Sequence, residues 1–178
     1  VDGKCVDTTM GLTPLEGLVM GTRSGSLDPA VVEFICDKEG LSVTEMLNVL
    51  NKKSGLLGIC GHGDMQDVVK AAAEGDHKSE LARSMVIYSV QKAIGAFTAA
   101  MNGVDVIAFT AGIGENNSQI RKEICSALGY LGIAIDDEKN QIRGEDCVIS
   151  TPDSKVKVVV IPTNEELMIA RDTKALVE

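Results

Sequence analysis

No tryptophan occurs in the 178 residues, and aromatic residues together make up only 3% of the chain. A core built from this sequence is therefore aliphatic, packed from Val, Ile, Leu, Met and Ala. A basic excess is missing too: 17 Lys and Arg face 26 Asp and Glu, a formal net charge of −9. With no basic run, this argues against a nucleic-acid backbone or an anionic membrane surface as the partner. It leaves open a small anionic ligand, which needs only local N–H groups, a metal and one well-placed cation. No apolar run is long enough to span a bilayer, and the first residues lack a signal-peptide layout. The expectation is a soluble, cytoplasmic protein. The five cysteines are odd in number and contain no C-x-x-C. That argues against a disulfide framework or a zinc site and for buried, reduced thiols. Cys60 and His62 are close in sequence, but two ligands do not make a metal site.

The length suffices for one domain with a real core. The chain opens on Val1-Asp2-Gly3-Lys4, where Asp-Gly is a favoured type I′ pair between two antiparallel strands. Cys5 to Thr8 can supply the strand after the turn, and the strand before it would precede Val1. With no initiating Met, the expectation is a chain that starts inside a hairpin.

Helical signals dominate the first hundred residues. Thr13 and Glu16 have capping-box spacing, with Pro14 at the first helical position, and predict a short helix ending near Gly21. Asp28-Pro29 starts the next helix, which runs to Lys38 with Gly40 as its stop. Ser42 and Glu45 form a second capping box, opening a helix to about Asn51. A glycine-rich stretch, Ser54 to Asp64, follows. Asp64 can cap a helix through Lys70 to Glu74, broken at Gly75-Asp76. From Lys78 to Asn102 a long amphipathic helix is expected, with Leu81, Met85, Tyr88, Ile94, Phe97 and Met101 near helical spacing. Core packing is the ordinary reading of such a stripe; a subunit interface is the other.

The pattern then changes. Val104 to Thr110 is a short β-branched run of the kind found in buried parallel strands. AGIG reads as a turn, and Asn117 or Ser118 caps a helix through about Tyr130. Ile133 to Ile135 is a further short strand, Lys139 to Ser154 is polar and turn-rich, and Lys155 to Ile161 is the clearest strand. Thr163 or Asn164 caps the last helix. Strand–helix–strand–helix order indicates an α/β domain with a partly parallel sheet.

Three stretches carry chemistry. In Met10 to Asp28, Arg23 is delivered into a glycine-rich loop between two predicted helices. A positioned arginine suits phosphate or carboxylate, which its planar fork binds bidentately; its bland reading is a surface salt bridge. Phe109 to Asn116, FTAGIGEN, is a strand, a glycine turn and a helix start. Gly112 and Gly114 lack Cβ atoms where a backbone approaches a ligand, and this geometry suits a nucleotide. A lone G-x-G is also what any tight βα turn needs. In Ile161 to Leu167, IPTNEEL, Glu165 stands where the strongest strand ends, a favoured place for ligands in α/β folds. There it can hold Mg²⁺ or act as an ordinary first-turn acid.

These three stretches, in the same order, resemble the acetate kinases. The resemblance implies the α/β, ribonuclease H-like fold shared with sugar kinases, heat-shock chaperones and actin. Residues 1–166 would be the C-terminal, nucleotide-binding domain, truncated at its start. Residues 167–178 would be a terminal helix returning to an absent N-terminal domain. It implies ATP/ADP and Mg²⁺ as cofactors, acetate or another short-chain carboxylate as substrate, and a homodimer. Arg23 is then the catalytic charge at the transferring phosphoryl group. Gly112, Ile113, Gly114, Glu115 and Asn116 line the ATP site, and Glu165 takes the metal, leaving Glu166 structural. Asp64, Met65 and Gln66 align with a nucleotide-contacting stretch that in the family usually reads aspartate, an apolar residue and arginine. Gln66 supplies no charge there, and His62 beside it is a solvated loop residue or a partial substitute. His77 is read as structural. The acyl pocket, a catalytic aspartate and a second arginine would lie upstream, so the chain is expected to be inactive alone. Alternatives are a propionate or butyrate kinase of the same family, or a non-catalytic nucleotide-binding module.

Overall fold

The computed structural model describes residues 1–177; Glu178, the last residue of the expected terminal segment 167–178, lies outside them. The chain forms two compact units, Val1–Gly103 and Val104–Glu178.

The first unit is helical, with α1 (Ala30–Glu39), α2 (Val43–Lys52), α3 (Gly55–Cys60), α4 (Met65–Ala73) and α5 (His77–Ala100). Most starts are set by one short polar side chain. Asp28 accepts from the Ala30 N–H at 2.9 Å, and Gly40 at φ 66° closes α1. The Ser42–Glu45 capping box is complete in both directions. Asp64 accepts from the Gln66 N–H at 2.7 Å, and Asp76 accepts from both the N–H and hydroxyl of Ser79. Those Ser79 hydrogen bonds hold the Asp76 carboxyl below its ordinary range. The opening turn also forms as read: Asp2 and Gly3 both have positive φ, and Lys4 N–H donates to the Val1 carbonyl at 2.9 Å. Cys5 to Thr8 joins no strand ladder among the described residues.

Two expectations fail here. The helix from Thr13 does not form, and Met10 to Met20 is a run of turns and bends. Thr13 accepts only from Leu15 N–H, while the Glu16 carboxylate takes the hydroxyl of Ser26 instead of reaching back. Gly17, at φ 109°, folds the segment onto Thr9; a Cβ there would lie 2.6 Å from the Thr9 carbonyl oxygen. A tertiary partner ten residues away has outbid the local cap. The second failure concerns α5. Its buried residues are Ser79, Ala82, Val86 and Ile87, whereas Leu81 and Tyr88 are 55% and 63% exposed. An inner face of Ser79, Ala82, Val86 and Ile87 packs against α3 and α4, and of the bulky stripe Leu81, Met85 and Tyr88 are left outside while Ile94, Phe97 and Met101 are half-buried.

The second unit holds β1 (Val106–Phe109), α6 (Ala111–Asn116), α7 (Ser118–Ser126), β2 (Cys147–Val148), β3 (Lys157–Val160) and α8 (Glu165–Val177). The sheet is mixed, in the order β1-β3-β2. β1 runs parallel to β3, from Val106 opposite Lys157 to Phe109 opposite Val160, and β2 is antiparallel to β3. The central strand buries Val158 and Val160 completely on one face, while Lys157 and Val159 on the other are exposed and half-buried. The expected strand at Ile133 to Ile135 reduces to one bridge, Ile135 to Ser150. AGIG is the start of the short helix α6 rather than a turn. Asn117 caps α7 through Ile120 N–H, and that helix ends at Ser126, short of Tyr130. Asn164 caps α8 through Leu167 N–H at 3.2 Å, and none of the described α8 residues is buried.

All five cysteines are free, but only Cys125 is buried, where burial pushes its thiol up to about 12. Cys5 is exposed and the others half-buried, which corrects the expectation of buried thiols throughout. No helix among the described residues is long and apolar enough to cross a membrane.

Candidate functional site

Arg23 sits on a loop fastened by main chain to the segment that ends α2 and begins α3. Leu56 and Leu57 N–H donate to the carbonyls of Met20 and Gly21, both at 2.9 Å. Ser54 N–H donates to Thr22 O and Ser24 N–H to Leu50 O, both at 3.0 Å. The Thr22 hydroxyl adds a bond to Asn51 O. Gly55 makes this approach possible: at φ 60°, a Cβ would lie 2.1 Å from Met20 O and 2.6 Å from Arg23 O. The loop therefore lies against the α2–α3 junction with no room for a side chain. Arg23 itself is half-buried. Its guanidinium has no hydrogen bond or ion pair among the described residues. It lines a cleft of about 640 Å³ with Thr22, Asn48, Asn51 and Lys52. A positioned cation without a protein partner is what an anion site offers before its ligand arrives.

The same loop meets the second expected stretch. A Cβ on Gly21 would stand 2.4 Å from Gly63 O, so the Arg23 loop and the Asp64 segment touch through two glycines. Asp64 spends one carboxylate oxygen on its helix and is otherwise exposed, and Gln66 is exposed beside it. Met65 is different: its side chain is only 4% exposed and belongs to the core. What Met65 can offer a ligand is backbone.

In the second unit, α6 presents its first residues outward. Gly112 has nothing within 4 Å of where its Cβ would be, and Ile113 is 43% exposed. Gly114 has a separate reason to be glycine, since a Cβ would press on the Phe109 backbone at 3.3 Å. Gly112 thus faces solvent and Gly114 faces β1. The Asn116 side chain folds back to donate to Gly112 O at 3.0 Å. The Glu115 carboxylate accepts from Thr163 N–H at 2.7 Å, and this bond holds its carboxyl below the ordinary glutamate range. Thr163 also meets the Thr110 hydroxyl at 2.8 Å and accepts from Ala111 N–H at 3.2 Å. Ala111 is held at φ 58°, a left-handed conformation rare for alanine. Thr163 therefore ties α6 to the segment leading into Glu165, and Asn164 alone caps α8.

Sequence reasoning missed Arg121. It is completely buried, and its five N–H groups have five acceptors: Asn140 Oδ1 and the carbonyls of Gly114, Glu115, Asn140 and Ile142. Burial lowers its proton affinity. A signal was available: Arg121 stands with Ile120, Ile124 and Cys125 on the buried side of α7, where solvated charge does not belong.

Glu165, in the first turn of α8, is exposed, and its carboxylate has no hydrogen bond or ion pair among the described residues. Among those residues no group of three or more His, Cys, Asp or Glu could hold a metal. A lone free carboxylate fits Mg²⁺, which keeps most of its water and shares phosphate oxygens, and does not fit Zn²⁺ or Ca²⁺.

The comparisons with known proteins give the family and the fold. The Acetokinase family matches residues 1–171. The acetate kinase of Carboxydothermus hydrogenoformans is 60% identical over 176 residues, covering 99% of this chain and 44% of that protein. The crystal structure of Porphyromonas gingivalis acetate kinase matches with a TM-score of 0.93 at 44% identity, covering 99% of this chain and 45% of that one. A propionate kinase from Francisella tularensis matches with a TM-score of 0.90 at 51% identity, covering 96% and 44%. The chain thus spans less than half the length of these relatives. Three motifs, one α/β fold and a match over nearly its whole length place it: the chain belongs to the acetokinase family.

Proposed function

We propose that the protein carrying this chain is an acetate kinase, moving the γ-phosphoryl group of ATP reversibly to the carboxylate of acetate to give acetyl phosphate and ADP. The observation that carries this reading is Arg23. It is a half-buried guanidinium with no partner among the described residues, on a main-chain-fastened loop, in a chain of this family. Phosphoryl transfer needs little covalent help from protein. Its transition state spreads negative charge over equatorial oxygens, and a rigidly placed fork of N–H donors offsets that charge. The outward backbone of Gly112 to Asn116 and the Asp64 to Gln66 segment are assigned to the nucleotide. Glu165 is assigned to Mg²⁺, which when bound neutralises phosphate charge. Gln66 brings no charge of its own, so nucleotide affinity rests more heavily on α6.

A propionate or butyrate kinase is the second reading, supported by the 51% identity to the Francisella propionate kinase. The exposed stripe of Leu81, Met85 and Tyr88 supports pairing of two subunits, and the protein is assigned to the cytoplasm. The terminal helix α8, with no buried residue, is assigned to packing on the rest of the full-length protein.

The test is acyl phosphate formation by the full-length protein with MgATP and, separately, acetate, propionate and butyrate. Acetate is expected to be preferred, and the 178-residue chain alone is expected to be inactive. Absence of acyl phosphate with all three acids would overturn the reading. Preference for propionate or butyrate would move it to the second.

A further inference from the structure

Arg121 is an unusual tenant of a protein interior. A buried arginine is ordinarily matched by a carboxylate, because an unpaired charge away from water is costly. Here every acceptor is neutral: four backbone carbonyls and one side-chain amide. The use of all five donors explains why the residue is arginine. Lysine has three donors radiating from one point and cannot span acceptors on two separate segments.

What the fork joins is informative. Nη1 holds Gly114 O and Glu115 O, each at 2.8 Å. These are last-turn carbonyls of α6, which by helix geometry have no partner within their own helix. Nε and Nη2 hold Asn140 and the Ile142 carbonyl at the Lys139–Gln141 turn. Asn140, itself buried, donates onward to Ser118 O at 2.8 Å. One end of α6 is thus nailed to the interior by a planar, fully engaged group. Its other end, Ala111 to Ile113, faces solvent and is steadied by Thr163.

We propose that Arg121 is a positioning residue for the nucleotide site. Its guanidinium fixes the carbonyl side of α6, so that the backbone from Gly112 to Asn116 keeps the geometry that receives the nucleotide. This rests on the assignment of α6 to the nucleotide made above. Arg121 touches no reacting atom in this scheme. Its effect passes through the loop, and it acts on nucleotide binding rather than on the acyl acceptor.

The experiment uses the full-length enzyme with Arg121→Lys, Arg121→Gln and Asn140→Ala. KM for ATP, KM for acetate, the melting temperature and amide hydrogen exchange are measured for each. Losing hydrogen bonds to a charged donor is expected to raise KM for ATP about tenfold or more in Arg121→Gln, with KM for acetate within about twofold. Arg121→Lys keeps the charge but not the fork and is expected to recover little. Exchange is expected to quicken in residues 111–117 and to stay unchanged in β3. Folded variants with unaltered KM for ATP and unaltered exchange there would overturn the proposal. So would a loss shared equally by ATP and acetate, or exchange raised evenly throughout. If neither Arg121 variant folds, Asn140→Ala, which removes one acceptor and leaves the charge in place, is judged by the same criteria. If the unmodified enzyme forms no acyl phosphate, the assigned function fails instead, and exchange in 111–117 of the variants still decides whether Arg121 holds α6.

Discussion

The Arg23 loop and the α6 turn are both glycine-rich, and both are assigned to phosphate chemistry, yet they are held by different means. Main-chain hydrogen bonds hold the Arg23 loop, and its glycines are crowded: Gly21, Gly25 and Gly55 would each put a Cβ within 2.6 Å of a carbonyl oxygen. Side chains hold the α6 turn, through Arg121, Glu115, Thr163 and Asn116. Its leading glycine, Gly112, is crowded by nothing. Identical residue types therefore report different things. At Gly21, Gly25 and Gly55 glycine is demanded by the protein's own backbone, while at Gly112 no described atom crowds the place of a Cβ. The physical consequence is a difference in vulnerability. A main-chain mesh has no titrating group and resists changes of pH, whereas a side-chain clamp can be undone by one substitution or one proton.

The largest effect that separates the two regions is expected at Arg23. Arg23→Ala in the full-length enzyme should lower kcat about a hundredfold or more, while stability changes by no more than about 0.5 kcal/mol, since the guanidinium has no partner among the described residues. Equal losses in rate and stability would mean that Arg23 is structural. Next comes Gly55→Ala, which needs an alanine at φ 60° with its Cβ 2.1 Å from Met20 O. Urea unfolding should show a loss of about 2 kcal/mol or more. A variant as stable as the parent would show that the loop is not fastened at this junction.

Gly112→Ala sharpens the contrast. Open space at this helical position predicts unchanged or slightly higher stability, by up to about 1 kcal/mol. A nucleotide backed by α6 should nevertheless bind more weakly, read as a smaller thermal shift with MgADP. An undiminished shift would remove Gly112 from the site. The smallest effect is a pH dependence confined to the second unit. The Glu115 carboxyl is depressed by the Thr163 N–H, so its contribution is complete above the ordinary glutamate pKa. It disappears as pH falls through the folded value. The stability gap between the parent and Glu115→Gln should therefore close as pH drops from about 5 toward 3. A gap independent of pH would mean that the bond to Thr163 contributes nothing.

The readings that held and those that failed divide on the same line. Asp28, Ser42, Asp64, Asn117 and Asn164 were all legible as helix starts, because each bonds an amide two or three residues away, whereas Asp76, read only as a break, caps α5. Thr13 and Glu16 have the same spacing, but Glu16 finds Ser26 instead. The α5 stripe misled because hydrophobic periodicity marks a face without saying what covers it. The helix buries Ser79, Ala82 and Val86, leaving Leu81 and Tyr88 outside. Of the candidate site, Arg23, the α6 glycines and Glu165 were visible as residues in motifs. The core burial of Met65, the different reasons for Gly112 and Gly114, and the engagement of Glu115 with Thr163 were not.

The sequence by itself determined the local beginnings of this protein: the capped helices, the Asp2-Gly3 turn, the two valine-rich strands, and a family signature spread over its length. These depend on bonds closed within four residues or on side-chain alternation along one strand. Only the tertiary structure decided which charges are held and which are free. Arg121 meets Asn140 across 19 residues, Glu115 meets Thr163 across 48, and the Arg23 guanidinium has no partner among the described residues. Such pairings are set by where the packed elements bring the chain together, and no local rule of spacing contains that information.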